Sequence, residues 1–276
     1  MLKANYHTHT YLCGHAVGKV SDYVNEAIRL GLTELGMSDH AHTPEYFMSK
    51  DEYYHNYLQE IMTDSDFDNI YVPEVLEAKK NPKIKVFLGL ETEYFPEFKD
   101  YFYRLRKKVD YLVLGEHFFN YKGSNYSPYD PFTPRLAEVY TDIVIEAMES
   151  GLYTVFAHPD LFLMNYNSPN GGHRVFDEVC EKCSKRIIEA AIKNDVYLEI
   201  NANGIAKGLR KTDDGKEEYL YPRTEFWALV SGTKAKVVIG ADAHKPEALG
   251  YYTIAKAEEF AKKFDLNMCD FVEFKK

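Results

Sequence analysis

Three of the chain's ten histidines, His7, His9 and His15, fall in the run Asn-Tyr-His-Thr-His-Thr-Tyr-Leu-Cys-Gly-His that spans residues 5–15. If residues 2–9 form a strand, His7 and His9 point the same way, because strand side chains alternate with period two. Two imidazoles on one face can hold a metal ion, and a turn at Gly14 could bring His15 back beside them. The competing reading is an expression tag or a polar loop. A tag is an unbroken run, whereas Thr8, Tyr11 and Leu12 interrupt this one.

Residues of the same chemical kind recur along the chain. His40, Glu91, His117, His158, Asp242 and His244 each stand at or just beyond the end of a short apolar run, and with the three N-terminal histidines they make nine ligand-type side chains. Zinc takes about four ligands, and other first-row ions in carboxylate and imidazole sites take roughly four to six. Nine residues, one of them a carboxylate able to bridge, suit two or three ions. The set offers nitrogen and oxygen without thiolate, which points to Zn, Mn or Fe and away from an iron–sulfur cluster.

The elements that must position these residues follow one rhythm. Buried-strand patterns cover residues 32–37, 84–90, 111–115, 153–157, 196–200 and 236–239, in addition to the N-terminal one. Helical patterns cover 23–30 with Ser21 as N-cap, 95–108, 134–150, 173 or 174 to 194, 223–231 and 252–264. Residues 51–81 read as helical and Tyr-rich, with Asp64, Asp66 and Asp68 in a solvated loop between two helices, and 207–215 reads as a polar excursion. Short apolar strands alternating with helices imply βα units around a buried parallel sheet. Six of the seven strands finish in His, Asp or Glu, and the remaining one finishes in Asn201 and Asn203. An open sheet gathers its ligands at one switch point, whereas a barrel directs every strand end to one mouth, so an α/β fold with a seven-stranded (β/α) TIM-like barrel is expected.

Composition sets the outer bounds. A chain of 276 residues without a Pro/Gly-rich linker or repeat reads as one domain, residues 1–276. A formal net charge of −10 argues against a nucleic-acid partner, since phosphate-backbone affinity depends on Lys and Arg. No apolar run reaches the ~20 residues that span a bilayer, and residues 1–10 lack the pattern of a signal peptide, so no membrane partner and a cytoplasmic location are expected. Cys13, Cys180, Cys183 and Cys269 make no disulfide framework. The lone Cys180-x-x-Cys183 lies in a helical pattern and reads as packing, as does Cys13. The composition gives no oligomeric state.

Taken in order, His-x-His, the following His15, Asp39-His40, Gly89-x-Glu91, the strand-terminal His117, His158-Pro159-Asp160, Glu199-x-Asn201 and Gly240-x-Asp242-Ala243-His244 resemble the polymerase and histidinol phosphatase (PHP) superfamily. Within it the histidinol-phosphate phosphatase branch matches best, and the resemblance runs from His7 to His244. It implies a distorted seven-stranded barrel with a trinuclear metal centre at the carboxyl ends of the strands. By the family's pattern His7, His9, Glu91 and Asp242 bind the first ion. Glu91 bridges to a second ion held also by His117 and His158, and His15, His40 and His244 hold the third. The pattern favours Glu91 over Glu93, which faces the same side of the strand. Glu116 stands where the family has a small or apolar residue, and the family's Gly-Leu-Arg segment is Gly208-Leu209-Arg210 after a slightly longer approach.

The chemistry expected of such a site is phosphate ester hydrolysis. A hydroxide bridging two ions, its pKa lowered toward ~7, would attack phosphorus without a Ser or Cys nucleophile. Asp242 and His244 are placed to shuttle a proton to the leaving alkoxide, with Asp160 a second candidate or an orienter of His158. Arginines suit the phosphate, Arg210 first, then Arg174 and Arg223, although the last two are equally readable as solvated helix-start residues. His42 could touch the phosphate, His173 could cap a helix or meet an anion, and His55 reads as a surface residue. The resemblance implies hydrolysis of L-histidinol phosphate to L-histidinol and phosphate in histidine biosynthesis. Another small phosphoester, such as a nucleotide or sugar phosphate, is the alternative substrate, and a metal-binding module without catalysis is the alternative class.

Overall fold

The computed structural model describes residues 2–41 and 62–274. Its centre is an eight-stranded sheet in which every neighbouring pair is parallel: β1 (Ala4–Asn5), β2 (Glu34–Met37), β3 (Lys85–Thr92), β4 (Tyr111–Leu114), β5 (Val155–Phe156), β6 (Tyr197–Asn201), β7 (Lys236–Gly240) and β8 (Asn267–Met268), in that spatial order. Sequential parallel order curls the sheet, since each crossover returns on the same side. The curl brings the first strand to the seventh. Beyond β1 the backbone N–H of His9 donates to the carbonyl of Ala243 at 2.9 Å, and that of Ala243 donates to His7 at 3.2 Å.

The seven expected strands are therefore present, with an eighth that the sequence reading lacks. β8 pairs with the start of β7, Lys236 opposite Asn267, at the end of the sheet away from the His9–Ala243 bridge. Both of its residues are exposed and it carries no apolar run, so it has no strand signature. The carboxyl ends of β1 to β7 thus converge on one mouth. At the opposite end the C-terminal tail packs in: Phe274 stacks on Tyr111 at 4.8 Å between ring centroids and meets Phe87 at 4.5 Å. The hydroxyl of Tyr6 accepts the Val272 N–H at 3.2 Å.

Helices cover the outer face, and their bounds correct several expected ones. Helix Val20–Leu30 begins one residue before Ser21, with Lys19 as N-cap. The helix expected at 95–108 is a 3-10 turn, Pro96–Phe98, followed by Lys99–Arg106. The one expected from residue 173 or 174 runs Glu178–Asn194, because Gly172–His173 pair with Asn167–Ser168 and the carboxylate of Asp177 caps the N–H groups of Val179 and Cys180. Thr133 caps Pro134–Glu149 in the same way. Asp64 and Asp66 form the first turn of a helix, with Thr63 and Asp66 as a capping box, and Asp68 lies in the next turn, so the expected acidic loop is helical. The polar excursion is a hairpin of Leu209–Lys211 with Glu217–Tyr219. His55 and the whole of the helical pattern before residue 62 lie outside the described residues. Among the described residues no helix is long and apolar enough to cross a membrane.

Candidate metal centre

Glu91, near the carboxyl end of β3, is 1 % exposed and sits among five imidazoles. Its Oε1 lies 3.3 Å from His7 Nε2, 3.7 Å from His117 Nε2 and 3.2 Å from His158 Nε2. Its Oε2 lies 3.5 Å from His9 Nε2 and 3.3 Å from His40 Nδ1. Asp242, beyond β7, directs Oδ1 to His9 Nε2 at 3.2 Å, His244 Nδ1 at 3.4 Å and His7 Nε2 at 3.6 Å. His15 completes the group from the exposed side, its ring 5.0 Å from that of His244 and 5.3 Å from that of His40. His40 stands between subsets, close to His9 and His244 on one side and to Glu91 and His117 on the other.

These separations test whether the residues fit metal ions. Metal bonds of about 2.0–2.2 Å at tetrahedral angles put neighbouring ligand atoms about 3.4 Å apart, the spacing found around Glu91 and Asp242. The ring nitrogens Nε2 of His7 and His9 are buried and hydrogen-bonded to nothing, which is costly unless a cation occupies the space they face. Nitrogen and oxygen donors on opposite sides of one carboxylate suit more than one divalent transition-metal ion.

The protonation states favour the same use. Burial alone would raise the Glu91 carboxyl, but His7, His117 and His158 outweigh it and hold it well below the usual range. Asp242 is likewise held low against burial by His7, His9 and His244. Burial, reinforced by His9, pushes His40 well down and His244 down to about 4, so both rings are neutral and able to donate a lone pair. His9 is the converse case: burial would lower it, yet Asp242, Asp39 and Glu91 raise it to about 9. A divalent ion would displace that proton.

Backbone and neighbouring carboxylates set the ring orientations. His158 and Asp242 take left-handed conformations, φ 34° and φ 47°, that non-glycine residues seldom adopt, and the strain turns both side chains into the mouth. A Cβ on Gly115 or Gly240 would collide with the carboxylates of Glu91 and Glu199 respectively, so glycine is needed where these groups pass. Glu199 lies 2.8 Å from His7 Nδ1, Glu93 lies 3.1 Å from His117 Nδ1, and Asp39 lies 3.6 Å from His9 Nδ1. Glu199 and Glu93 each hold the ring nitrogen that faces away from the centre, whereas Asp39 stands beyond hydrogen-bond reach of His9. Asn201 and Asn203 donate to Asp242 Oδ2 at 3.2 Å and 3.1 Å. Glu199 and Asp39 flank the outward nitrogens of His7 and His9, and both sit in motifs quoted above without a role of their own.

The candidate phosphate contacts lie farther out. Arg174, half-buried, donates from Nε to the Met164 carbonyl at 2.9 Å and from Nη2 to Asn165 at 3.3 Å. Arg210 is exposed beside it, donating from Nη1 to the carbonyl of Leu209 at 2.9 Å. Arg223 is 1 % exposed, and its guanidinium is committed to the Arg174 carbonyl at 3.1 Å and to Glu225. Asp160 accepts the Arg223 N–H at 2.5 Å, and burial raises its carboxyl to about 7 against the pull of that N–H. His173 N–H donates to Asp213 at 2.7 Å, so a helix-cap role is replaced by a loop contact. His42 lies outside the described residues.

The PHP domain family matches residues 5–203. A protein of Deinococcus radiodurans named probable histidinol-phosphatase is 24% identical over 261 residues, covering 89% of this chain and 87% of that one. A Schizosaccharomyces pombe protein of the same name is 27% identical over 280 residues, covering 91% and 84%. Among solved structures, histidinol phosphate phosphatase from Lactococcus lactis, in complex with zinc, L-histidinol and phosphate, superposes with a TM-score of 0.63 at 18% identity over 99% of both chains.

Proposed function

Because the chain belongs to the PHP domain family, we propose that it is a single-domain histidinol-phosphatase, a phosphoric monoester hydrolase that converts L-histidinol phosphate to L-histidinol and phosphate. The observation that carries the reading is Glu91, a buried carboxylate with five imidazole nitrogens within 3.7 Å. The names of the Deinococcus and yeast relatives support the substrate, as do the ligands of the Lactococcus structure.

In this reading His7, His9, Glu91 and Asp242 hold one ion, Glu91 with His117 and His158 a second, and His15, His40 and His244 a third. Divalent ions such as Zn, Mn or Fe supply Lewis acidity, lowering the pKa of water toward about 7 and neutralising charge on phosphoryl oxygens. The chain's own groups do the rest. Glu199 and Glu93 take the outward Nδ1–H of His7 and His117, which leaves each Nε2 lone pair directed inward. Arg174 and Arg210 bind the phosphate, and Arg223 fixes the backbone of Arg174 from below. Asp242 and His244, at the mouth and 3.4 Å apart, pass a proton to the leaving alkoxide. Asp160 anchors the loop after His158 through the Arg223 N–H.

The test is phosphate release by metal-loaded protein from L-histidinol phosphate, a nucleoside monophosphate and a sugar phosphate. A much higher kcat/KM on histidinol phosphate is expected. Equal rates would reduce the reading to a general phosphoesterase, and no release from any of them would overturn it.

A further inference from the structure

Beside the outermost imidazoles lies a sulfur. Cys13 is fully buried, and its Sγ, a ring nitrogen of His15 and a ring nitrogen of His244 all lie within 4.8 Å of one another. The same sulfur is equally close to His9 and Asp39. His9 is fully buried too, and neither of its ring nitrogens has a hydrogen-bond partner, so an unsatisfied donor group faces this corner of the centre. The turn Tyr11–Cys13 ends at Gly14 in the left-handed conformation, φ 79°, which brings the chain back so that His15 follows Cys13 into the same corner.

We infer that the Cys13 sulfur is a ligand of the ion held by His15, His40 and His244. The outer site would then be a mixed nitrogen–sulfur site for a borderline or soft ion such as Zn2+, Co2+ or Cd2+ in preference to Mn2+ or Mg2+. The inference rests on the reading above that the centre holds ions. Binding breaks the S–H bond: the electron pair stays on sulfur and is donated to the cation, and the proton leaves to solvent. A divalent cation drives this step in a buried setting because a coordinating thiol is deprotonated outright.

The experiment loads metal-free, full-length protein with Co2+ and follows the absorption spectrum. Histidine and carboxylate sites give visible d–d bands, and a thiolate ligand adds a near-ultraviolet sulfur-to-cobalt charge-transfer band. The band is expected in the unaltered protein and in a chain with Cys180, Cys183 and Cys269 replaced by Ala, and its loss is expected in Cys13→Ser. Visible bands without the charge-transfer band would overturn the inference and leave the metal centre standing, as would a band that disappears from the triple variant. Absence of any cobalt uptake would overturn the centre itself. The spectrum of the unaltered and triple-variant proteins decides the matter even if Cys13→Ser does not fold.

Discussion

Glu199 and His7 face each other at 2.8 Å, carboxylate to Nδ1, with both side chains 1 % exposed. The pair lies on the far side of the ring from Glu91 and Asp242, so it selects the tautomer whose Nε2 is free for a cation. Glu199→Gln keeps the volume but can present its NH2 to the ring, which favours the wrong tautomer. Metal affinity should fall roughly ten- to a hundredfold, read by competition with a chelator, with the circular dichroism spectrum unchanged. An unchanged affinity would show that the carboxylate does not orient the ring.

His117 and Asp242 approach the centre from different strand ends and touch different partners, Glu93 and His158 for the first, His9 and Asn203 for the second. His117→Asn and Asp242→Asn should each lower kcat by at least about a hundredfold while the protein stays folded. Activity surviving both replacements would place the reactive centre elsewhere.

Much of this candidate site is legible in the sequence because its histidines and carboxylates mark strand ends, and a strand end is a place that a short apolar run announces. His7, His40, Glu91, His117, His158 and Asp242 all follow such runs. The outward carboxylates are not legible in that way. Glu199 and Glu91 are both acidic residues at the ends of buried strands, and only the side of the imidazole each one meets separates an orienting role from a ligand role. Arg223 misleads for a related reason: an arginine at a helix start reads as solvated or anion-binding, whereas the fold buries its guanidinium against Glu225 and the Arg174 carbonyl. β8 escapes because two exposed residues carry no periodicity.

Arg210 spends one guanidinium nitrogen on the carbonyl of Leu209 and is otherwise at the surface, beside the better-anchored Arg174. If it meets the substrate phosphate, Arg210→Ala should raise KM for histidinol phosphate about tenfold with a smaller change in kcat, because the contact exists before and during the reaction. A change confined to kcat would assign Arg210 to the transition state alone, and no change would remove it from the site.

Asp177 carries a pH dependence outside the metal centre. Burial would raise its carboxyl, but Ser168, the Cys180 N–H and the Tyr166 hydroxyl outweigh that and hold it below the usual value. A depressed pKa in the folded state means a stabilisation present above the unfolded value near 3.8 and lost as pH falls through the folded one. Asp177→Asn retains a capping oxygen but not the charge. Urea unfolding should find it roughly 1 kcal/mol less stable at pH 7, with the difference closing below about pH 4. A pH-independent difference would trace the effect to shape and not to charge.

The aromatic plug opposite the metal mouth separates stability from catalysis. Phe274 stacks on Tyr111 with an interplanar angle of 24° and packs edge-on against Phe87 and Tyr6 at 4.5 Å and 5.8 Å. Tyr111 in turn donates its hydroxyl to the Tyr6 carbonyl at 2.8 Å, one residue before His7. Phe274→Ala removes ring contacts at a half-buried position, which should cost on the order of 2 kcal/mol and lower the urea midpoint. Because the Tyr111–Tyr6 hydrogen bond remains, the backbone before His7 keeps its place, and kcat per folded molecule should stay within about twofold of the unaltered protein. A large fall in kcat at full folding would mean that the tail helps hold the ligand strand in register.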